Sequence, residues 1–238
     1  MNRTYLDSFI SKYHLGGLIS NTVWRVKDNT LKTDFTTEGK EMLGSVRFNN
    51  FTQPDADLGI VDTERLMRIL SVLNGQCTLD YQKVQDRIIA MTLKDNNAEV
   101  KFNLGDLSIF PTDPKLKNVP PFELVMEMNK DAASAFVNGC NAITESNHFT
   151  IVENGDDCEV IVNYDRTKNL DMVRVPVKVV TSGDIGEKSF SSLHLKSVIS
   201  ANKEADTISL SVSSAGLLKC SFINKDYSAD YYLVAMDK

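Results

Sequence analysis

Prolines are concentrated in one short stretch near the middle of the chain. Four of the six prolines fall within residues 105–122, at Pro111, Pro114, Pro120 and Pro121. Proline has no backbone N–H to donate, so such a stretch can neither continue a helix nor complete a strand ladder. We therefore expect an extended connector at 107–121 between a first domain at 1–106 and a second at 122–238. The early, apolar part of the stretch, residues 107–110, could still pair as a strand.

The parts before and after the connector share one order of patterns. Each has an amphipathic helix, then alternating strands, then a second short helix and further strands. The apolar stripes of the four helices are, in chain order, Leu6, Phe9, Ile10 and Tyr13; Leu66, Ile69, Leu70 and Leu73; Ala133, Phe136, Val137 and Cys140; and Leu195, Val198 and Ile199. The sequence thus predicts an α+β fold of two similar domains, each with antiparallel sheets and two helices.

Capping and turn residues give the expected limits of these elements. Side chains able to cap a helix N-terminus precede the last three helices, at Asp62 or Thr63, at Asn129, and at Ser191 or Ser192. A short strand is expected at 18–21, directly after the glycine pair that ends the first helix. Pro176 interrupts another apolar stretch and favours an edge position for that strand.

Charge is distributed unevenly along the chain. With 26 Lys and Arg against 32 Asp and Glu, the net charge of −6 argues against a protein that coats nucleic acid with its whole surface. The helix faces opposite the apolar stripes are nevertheless basic, small or polar. Their basic residues are Arg3, Lys12, Arg65, Arg68, Lys130, Lys196 and Lys203. These faces could be ordinary solvated surfaces, or they could meet phosphates without reading bases.

Residue patterns typical of catalysis are missing from the sequence. It contains no nucleophile elbow, phosphate-binding loop, dinucleotide fingerprint or zinc-peptidase helix. The paired carboxylates at 55/57 and 156/157 lie in turn-like segments, where turn formation and solubility explain them. Four cysteines and three histidines are scattered without ligand spacing, which favours buried, reduced thiols over a metal site. We therefore expect a protein that is not an enzyme and binds no cofactor.

No apolar stretch is long enough for a transmembrane helix, and the first residues lack the apolar core of a signal peptide. The expected location is therefore the cytoplasm, without membrane association.

Several short motifs, taken in order along nearly the whole chain, resemble the DNA sliding-clamp family. This family includes the proliferating cell nuclear antigens of eukaryotes and archaea and the polymerase clamps of large tailed phages. Residues 24–34 (WRVKDNTLKTD) look like its early strand hairpin, and residues 58–62 (LGIVD) look like the approach to its second helix. Residues 230–235 (DYYLVA) are close to its terminal strand. The region 48–57 is longer than the family pattern.

The phage branch is the nearer match. Residues 108–114 (SIFPTDP) and 120–122 (PPF) resemble the connector of the phage clamps, as does the stretch 174–190 around its turn GDIGE. The resemblance implies a homotrimeric ring that surrounds duplex DNA, with helices lining the hole. It implies subunit edges near 99–109 and 173–180. In a virus, the protein would work in the host cytoplasm.

The resemblance also implies two kinds of site. The seven basic residues named above would face double-stranded DNA without sequence preference. A groove for partner peptides would be lined by Ile109, Phe110 and Pro111 together with Val234, Ala235 and Met236. The implied partners are a DNA polymerase, which the clamp tethers for processive synthesis, and a clamp loader. Factors associated with RNA polymerase in viral transcription are further implied partners.

A second interpretation is a phage structural or assembly protein with two β-rich domains. It would explain the acidity and the lack of catalytic motifs equally well. It would not explain why basic residues gather on the helices.

Overall fold

The computed structural model describes residues 1–111, 114, 116, 118–154 and 157–236. Within them the chain is an α+β protein with antiparallel strands and four α-helices, as predicted. It divides into two compact units, one of Met1–Thr37 with Gly44–Pro114 and one of Glu38–Leu43 with Lys115–Lys238. No sequence pattern indicated that Glu38–Leu43 belongs to the second unit. The predicted domain bounds and the connector at 107–121 stay a prediction.

The first unit carries two antiparallel sheets and two helices. Its elements are α1 (Arg3–His14), β1 (Thr22–Lys27), β2 (Thr30–Thr36), β3 (Met42–Phe48, whose first two residues fall in the second unit), β4 (Ala56–Ile60), α2 (Thr63–Leu70), β5 (Thr78–Val84), β6 (Arg87–Lys94), β7 (Glu99–Asn103) and a 3₁₀ helix (Leu107–Ile109). The strand orders are β3-β2-β1-β4 and β5-β6-β7. The β-branched and aromatic residues of these strands alternate between the core and the surface, as the period of a pleated strand requires.

Aromatic packing forms the core of this unit. Phe9 and Tyr13 on α1 are fully buried, as the helical spacing predicted. The Phe9 ring meets Trp24 edge to face at 5.4 Å. The hydroxyl groups of Tyr13 and Thr63 lie 3.3 Å apart, which joins α1 to the first turn of α2. The two helices therefore lie side by side and turn their remaining faces outward.

The second unit repeats this order with one strand more. Its elements are β8 (Leu124–Glu127), α3 (Lys130–Ala142), β9 (His148–Asn154), β10 (Asp157–Val162), β11 (Val173–Thr181), β12 (Lys188–Ser191), α4 (Ser192–Ala201), β13 (Thr207–Ser213), β14 (Leu217–Ile223) and β15 (Tyr227–Val234). The strand order is β12-β9-β10-β11-β8-β13-β14-β15. Phe136 on α3 packs edge to face on Phe149 at 5.3 Å, which places α3 over this sheet.

The helix caps confirm the repeat at the level of single residues. Asn2 and Asn129 cap α1 and α3, and each is followed seven positions later by a buried phenylalanine. Asp62 and Ser191 cap α2 and α4. In each helix the cap side chain accepts a backbone N–H of the first turn that would otherwise lack a partner.

Two sequence predictions need correction, and two strands were not predicted. Residues 18–21 form no strand, because Gly16 and Gly17 adopt positive φ (71° and 109°) and turn the chain back so that Ile19 donates its N–H to His14. Residues 107–110 form a 3₁₀ turn and not a strand. Strands β4 and β12 were not predicted, because they are short and adjacent residues in each are buried, so neither shows the alternation of a half-buried strand.

Pro176 lies within an inner strand of the second unit. β11 has β10 on one side along its first half, and β8 on the other side only from Lys178 onward. Pro176 is paired with Glu159 of β10, and it needs no N–H on the side where β8 has not begun. The predicted edge position is therefore correct only locally.

Candidate nucleic-acid interface and partner groove

The four helices carry positive charge in an acidic chain. They contain six Lys and Arg residues against three Asp and Glu, a net charge of +3, whereas the whole chain carries −6. The remaining residues therefore carry −9 by difference. This sorting does not depend on how the units are arranged, because it is already present in each unit.

Helix α2 presents the clearest basic face. Arg65 and Arg68 are both exposed, one helical turn apart on the side opposite the buried Leu66 and Leu70. Arg68 lies 3.6 Å from Glu64, and both side chains are more than half exposed, so this ion pair is weak and screened by salt. Arg65 has no ion-pair partner among the described residues. Its guanidinium is therefore available to an external anion.

The second unit contributes three lysines. Lys130 lies at the first position of α3 and is exposed, and Lys203 is exposed just after the end of α4. Lys196 lies on α4 and is half-buried. None of the three has an ion-pair partner within the described part of the chain. All three remain predicted DNA-facing residues.

Arg3 and Lys12 on α1 have mainly internal contacts. Arg3 is half-buried, donates from Nη1 to the backbone oxygen of Leu73 at 2.9 Å, and has Asp7 3.0 Å from its Nε. Lys12 is fully buried, with its ammonium over the Phe48 ring and within hydrogen-bonding distance of Ser8. The prediction that Lys12 faces DNA is therefore wrong, whereas Arg3 keeps a partly exposed side chain.

Two exposed apolar residues on the helices were not anticipated. Met67 on α2 is 41% exposed and Leu193 in the first turn of α4 is 54% exposed. Both lie outside the core stripes on faces that we expected to be basic, small or polar. In the sequence, these two residues are distinguished only by lying outside the i, i+3, i+4 spacing of the core residues of their helices.

The first half of the predicted partner groove is an exposed apolar turn. Ile109 is 67% exposed and Leu107, which sequence reasoning missed, is 44% exposed. Phe110 is half-buried against Gly59, where an added Cβ would come within 2.6 Å of its ring. The Asp106 carboxylate caps this turn by accepting the Ser108 N–H, and that hydrogen bond is the main reason that its pKa lies below the ordinary value. Pro111 is exposed at the end of the turn.

The second half of the predicted groove follows β15. Val234 is 51% exposed and Met236 is 38% exposed, whereas Leu233, which directly precedes Val234, is buried. Ala235 is half-buried and donates its N–H to Gly216 at 2.8 Å, and Met236 donates to Ser189 at 2.8 Å. These bonds fix the backbone and leave the two larger side chains at the surface. The halves lie in different units, and the groove as a whole stays a prediction.

A catalytic or metal centre is not found in the described part of the chain. No group of three potential metal ligands occurs there. The four cysteines are buried and free, as predicted, and burial raises the pKa of Cys140 to about 11 and that of Cys158 to about 12. Thiols with such pKa values are poor nucleophiles near neutral pH.

Among the described residues, none of the helices combines the length and the apolar character needed to cross a bilayer.

Comparison with known proteins identifies the fold. No protein-family model and no curated protein sequence matches the chain. Solved structures do match. The proliferating cellular nuclear antigen of Entamoeba histolytica aligns over 99% of this chain and 96% of its own, with a TM-score of 0.76 and 15% identity. PCNA of A. fulgidus, in a structure with the C-terminal region of FEN-1 bound, aligns over 100% of this chain and 97% of its own, with a TM-score of 0.79 and 13% identity. The chain therefore has the fold of these clamps along its whole length.

Proposed function

We propose that this protein is a non-catalytic sliding clamp, a homotrimeric ring that encircles duplex DNA and tethers a DNA polymerase for processive synthesis. The observation that carries the proposal is the sorting of positive charge onto the helices of a chain with the PCNA fold. An acidic chain can surround a polyanion only if the surface turned toward the polyanion is basic. The helices of both units offer such a surface.

The chemistry of the interface suits movement along DNA. Arg65, Arg68, Lys130, Lys196 and Lys203 would act as separate point charges near phosphates. Such contacts carry no sequence information and are weakened by salt. Weak contacts would let the ring slide, and the closed topology would retain it on DNA. Arg3 would contribute at most a partial contact because Leu73 and Asp7 engage its guanidinium.

The finer features of the proposal follow the phage-type resemblance. The ring would act in the cytoplasm of an infected host and would be opened by a clamp loader. The polymerase and, in transcription, factors associated with RNA polymerase would bind at the groove of Ile109, Phe110 and Pro111 with Val234, Ala235 and Met236. The exposed side chains of Ile109, Val234 and Met236 support this assignment, because a peptide anchor needs accessible apolar contacts.

Two measurements test the proposal. Native mass spectrometry at micromolar concentration should detect a trimer. A triple variant Arg65→Ala, Arg68→Ala, Lys130→Ala should assemble normally but lose most of the loader-dependent stimulation of the polymerase.

The control is a variant with the same loss of charge, Lys27→Ala, Arg47→Ala, Lys225→Ala, whose positions are exposed on strands and turns. It should retain stimulation. A strictly monomeric protein would contradict the ring. Equal stimulation by wild type and the helix variant would favour a structural or assembly protein.

A further inference from the structure

The extra strand of the second unit provides an internal template for the first. β8 lies antiparallel to β13 with Leu124 opposite Val212, Val125 opposite Ser211 and Met126 opposite Leu210. The side chains of Leu124 and Met126 are fully buried. The chain then passes from Met128, whose N–H donates to Ile208, through the cap Asn129 into α3.

In the first unit the chain enters its first helix in the same way, but the described residues include no equivalent of β8. The Met1 amino group donates to the Cys77 oxygen at 2.9 Å, and the Cys77 N–H donates to Met1 at 2.8 Å, just before the cap Asn2 and helix α1. Met1 thus occupies the place of Met128, and Cys77 that of Ile208. Beyond this point β5 pairs with β6 alone within the described part of the chain.

The correspondence identifies the open backbone groups. Along β13, Ile208 and Val212 accept N–H groups on the β8 side, from Met128 and Glu123. The matching residues of β5 are Cys77, Leu79 and Tyr81, since alternate residues of a strand turn their backbone groups toward the same edge. Cys77 is bonded to Met1. The open edge is therefore formed by the N–H and C=O groups of Leu79 and Tyr81, with Asp80 between them.

Side chains at this edge indicate what it would accept. Leu79 is buried, so a residue paired with it would also face inward, as Met126 does opposite Leu210. The Tyr81 hydroxyl is buried without a hydrogen-bond partner among the described residues. Asp80 points outward, is exposed and has no ion-pair partner in that part of the chain. A cross-strand neighbour of Asp80 would be favoured if it were basic.

We propose that residues 78–81 of β5 form a docking edge for an extended segment of a partner protein. The segment adds as an antiparallel strand and carries a basic residue between two apolar ones. Its apolar side chains take the places that Leu124 and Met126 hold in the second unit, and its basic residue pairs with Asp80. This is strand addition to an exposed sheet edge, in which main-chain hydrogen bonds give affinity and alternate side chains give specificity.

Amide hydrogen exchange measured by NMR on the whole protein tests the edge directly. In the free protein, the amides of Leu79 and Tyr81 should exchange much faster than those of Leu210 and Val212, which β8 covers. The probe is a synthetic peptide with the sequence of residues 121–127 and the change Val125→Lys (PFELKME), which ends before the position that Met1 already fills. At saturation it should slow exchange at Leu79 and Tyr81 by about tenfold or more, the effect expected when an open amide enters a strand ladder.

Charge reversal tests the specificity. A second peptide with Val125→Glu (PFELEME) should bind wild type about two- to fivefold more weakly, the range of one cross-strand charge pair. The Asp80→Lys variant should reverse that order, whereas Asp86→Lys, the same charge change in the β5–β6 turn, should preserve it. These measurements involve neither DNA nor polymerase, so their outcome is separate from that of the proposed clamp.

Several results would overturn the proposal. One is protection of Leu79 and Tyr81 in the free protein equal to that of Leu210 and Val212, because the edge would then already be covered. Protection that rises with protein concentration would identify a second copy as the occupant. Failure of PFELKME to slow exchange at these two amides, or an unchanged peptide order in Asp80→Lys, would also refute it.

Discussion

The ammonium group of Lys12 lies 5.7 Å from the centre of the Phe48 ring, inside the first unit. Its Nζ is 3.1 Å from the Ser8 hydroxyl, one helical turn back. Counted from the caps Asn2 and Asn129, Lys12 corresponds to Gly139, where an added Cβ would meet Val173 at 2.9 Å. Both positions therefore face the sheet beneath the helix, and the charged group of Lys12 makes its contacts in the interior.

Truncation of Lys12 should cost stability without changing DNA binding. Lys12→Ala removes a packed aliphatic stem and should lower the free energy of unfolding by about 1–3 kcal/mol. Lys12→Met keeps most of the volume and should cost less than about 1.5 kcal/mol. Urea denaturation measures both. For Lys12→Met, the slope of DNA affinity against salt concentration on logarithmic axes should equal that of wild type, whereas Lys130→Met should have a smaller slope. A smaller slope for Lys12→Met would contradict the buried position of Lys12.

Asp95 should make the protein acid-sensitive. Its carboxylate accepts the backbone N–H groups of Asn74, Asn97 and Ala98 at 2.6–2.7 Å, and these bonds hold its pKa below the ordinary value of 3.8. A depressed pKa in the folded state means stability that is present above pH 3.8 and lost as the pH falls through the folded pKa.

Asp95→Asn should therefore be less stable than wild type at neutral pH and lose less stability between about pH 5 and pH 2. Urea midpoints across that range measure the difference. The control is Asp86→Asn, because Asp86 is exposed and accepts no hydrogen bond among the described residues. Parallel pH curves for wild type and Asp95→Asn would show that Asp95 does not carry the effect.

The sequence predicted those parts of the fold that depend on local periodicity. Buried residues such as Phe9 and Phe136 follow helical spacing, and the caps Asp62, Asn129 and Ser191 lie where short polar side chains precede the spacing. The second-unit membership of Glu38–Leu43 could not be predicted in this way. It depends on pairing between residues far apart in the chain, which leaves no local pattern.

The sequence predicted that the candidate interface is basic, but it did not predict the position of every residue in it. Helical spacing separates an inner from an outer face, and this placed Arg65, Arg68 and Lys130 correctly at the surface. It failed at Lys12, because a long aliphatic stem can lie inside while its ammonium finds a ring and a hydroxyl. The clue was available: Lys12 is three residues after Phe9, and so lies close to the buried stripe.

Glu64 should weaken the DNA affinity that the basic face of α2 provides. Its carboxylate is 3.6 Å from Arg68, and both side chains are largely exposed. Glu64→Gln removes a negative charge beside two arginines and should raise DNA affinity by about twofold at low salt, with the gain disappearing at high salt. Fluorescence anisotropy with duplex DNA at several salt concentrations measures it.

The matched control for Glu64→Gln is Asp57→Asn. Asp57 forms a less exposed pair with Arg25, at 4.0 Å between strands β4 and β1. Its loss should leave DNA affinity unchanged. An equal gain for both variants would mean that only net charge matters, and that the α2 face has no special part in binding DNA.

Asn202 and Tyr231 should be energetically coupled in the second unit. The Asn202 amide donates to the Val198 oxygen at 2.8 Å and to the Tyr231 hydroxyl at 3.0 Å, which connects the end of α4 to β15. Both residues are fully buried, and burial raises the pKa of Tyr231, so its hydroxyl stays neutral. Tyr231→Phe should lower the free energy of unfolding by about 0.5–1.5 kcal/mol, and Asn202→Ala by about 1–3 kcal/mol.

The double variant should then cost less than the sum of the two, because the shared hydrogen bond is lost only once. A coupling of about 0.5–1.5 kcal/mol in a double-mutant cycle is the expected result. Tyr227→Phe, at a second buried tyrosine on β15, is the control, since the two hydrogen bonds of the Asn202 amide go to Val198 and Tyr231. Its effect should add to that of Asn202→Ala. If Tyr231→Phe and Asn202→Ala were also additive, the hydrogen bond between them would contribute nothing to stability.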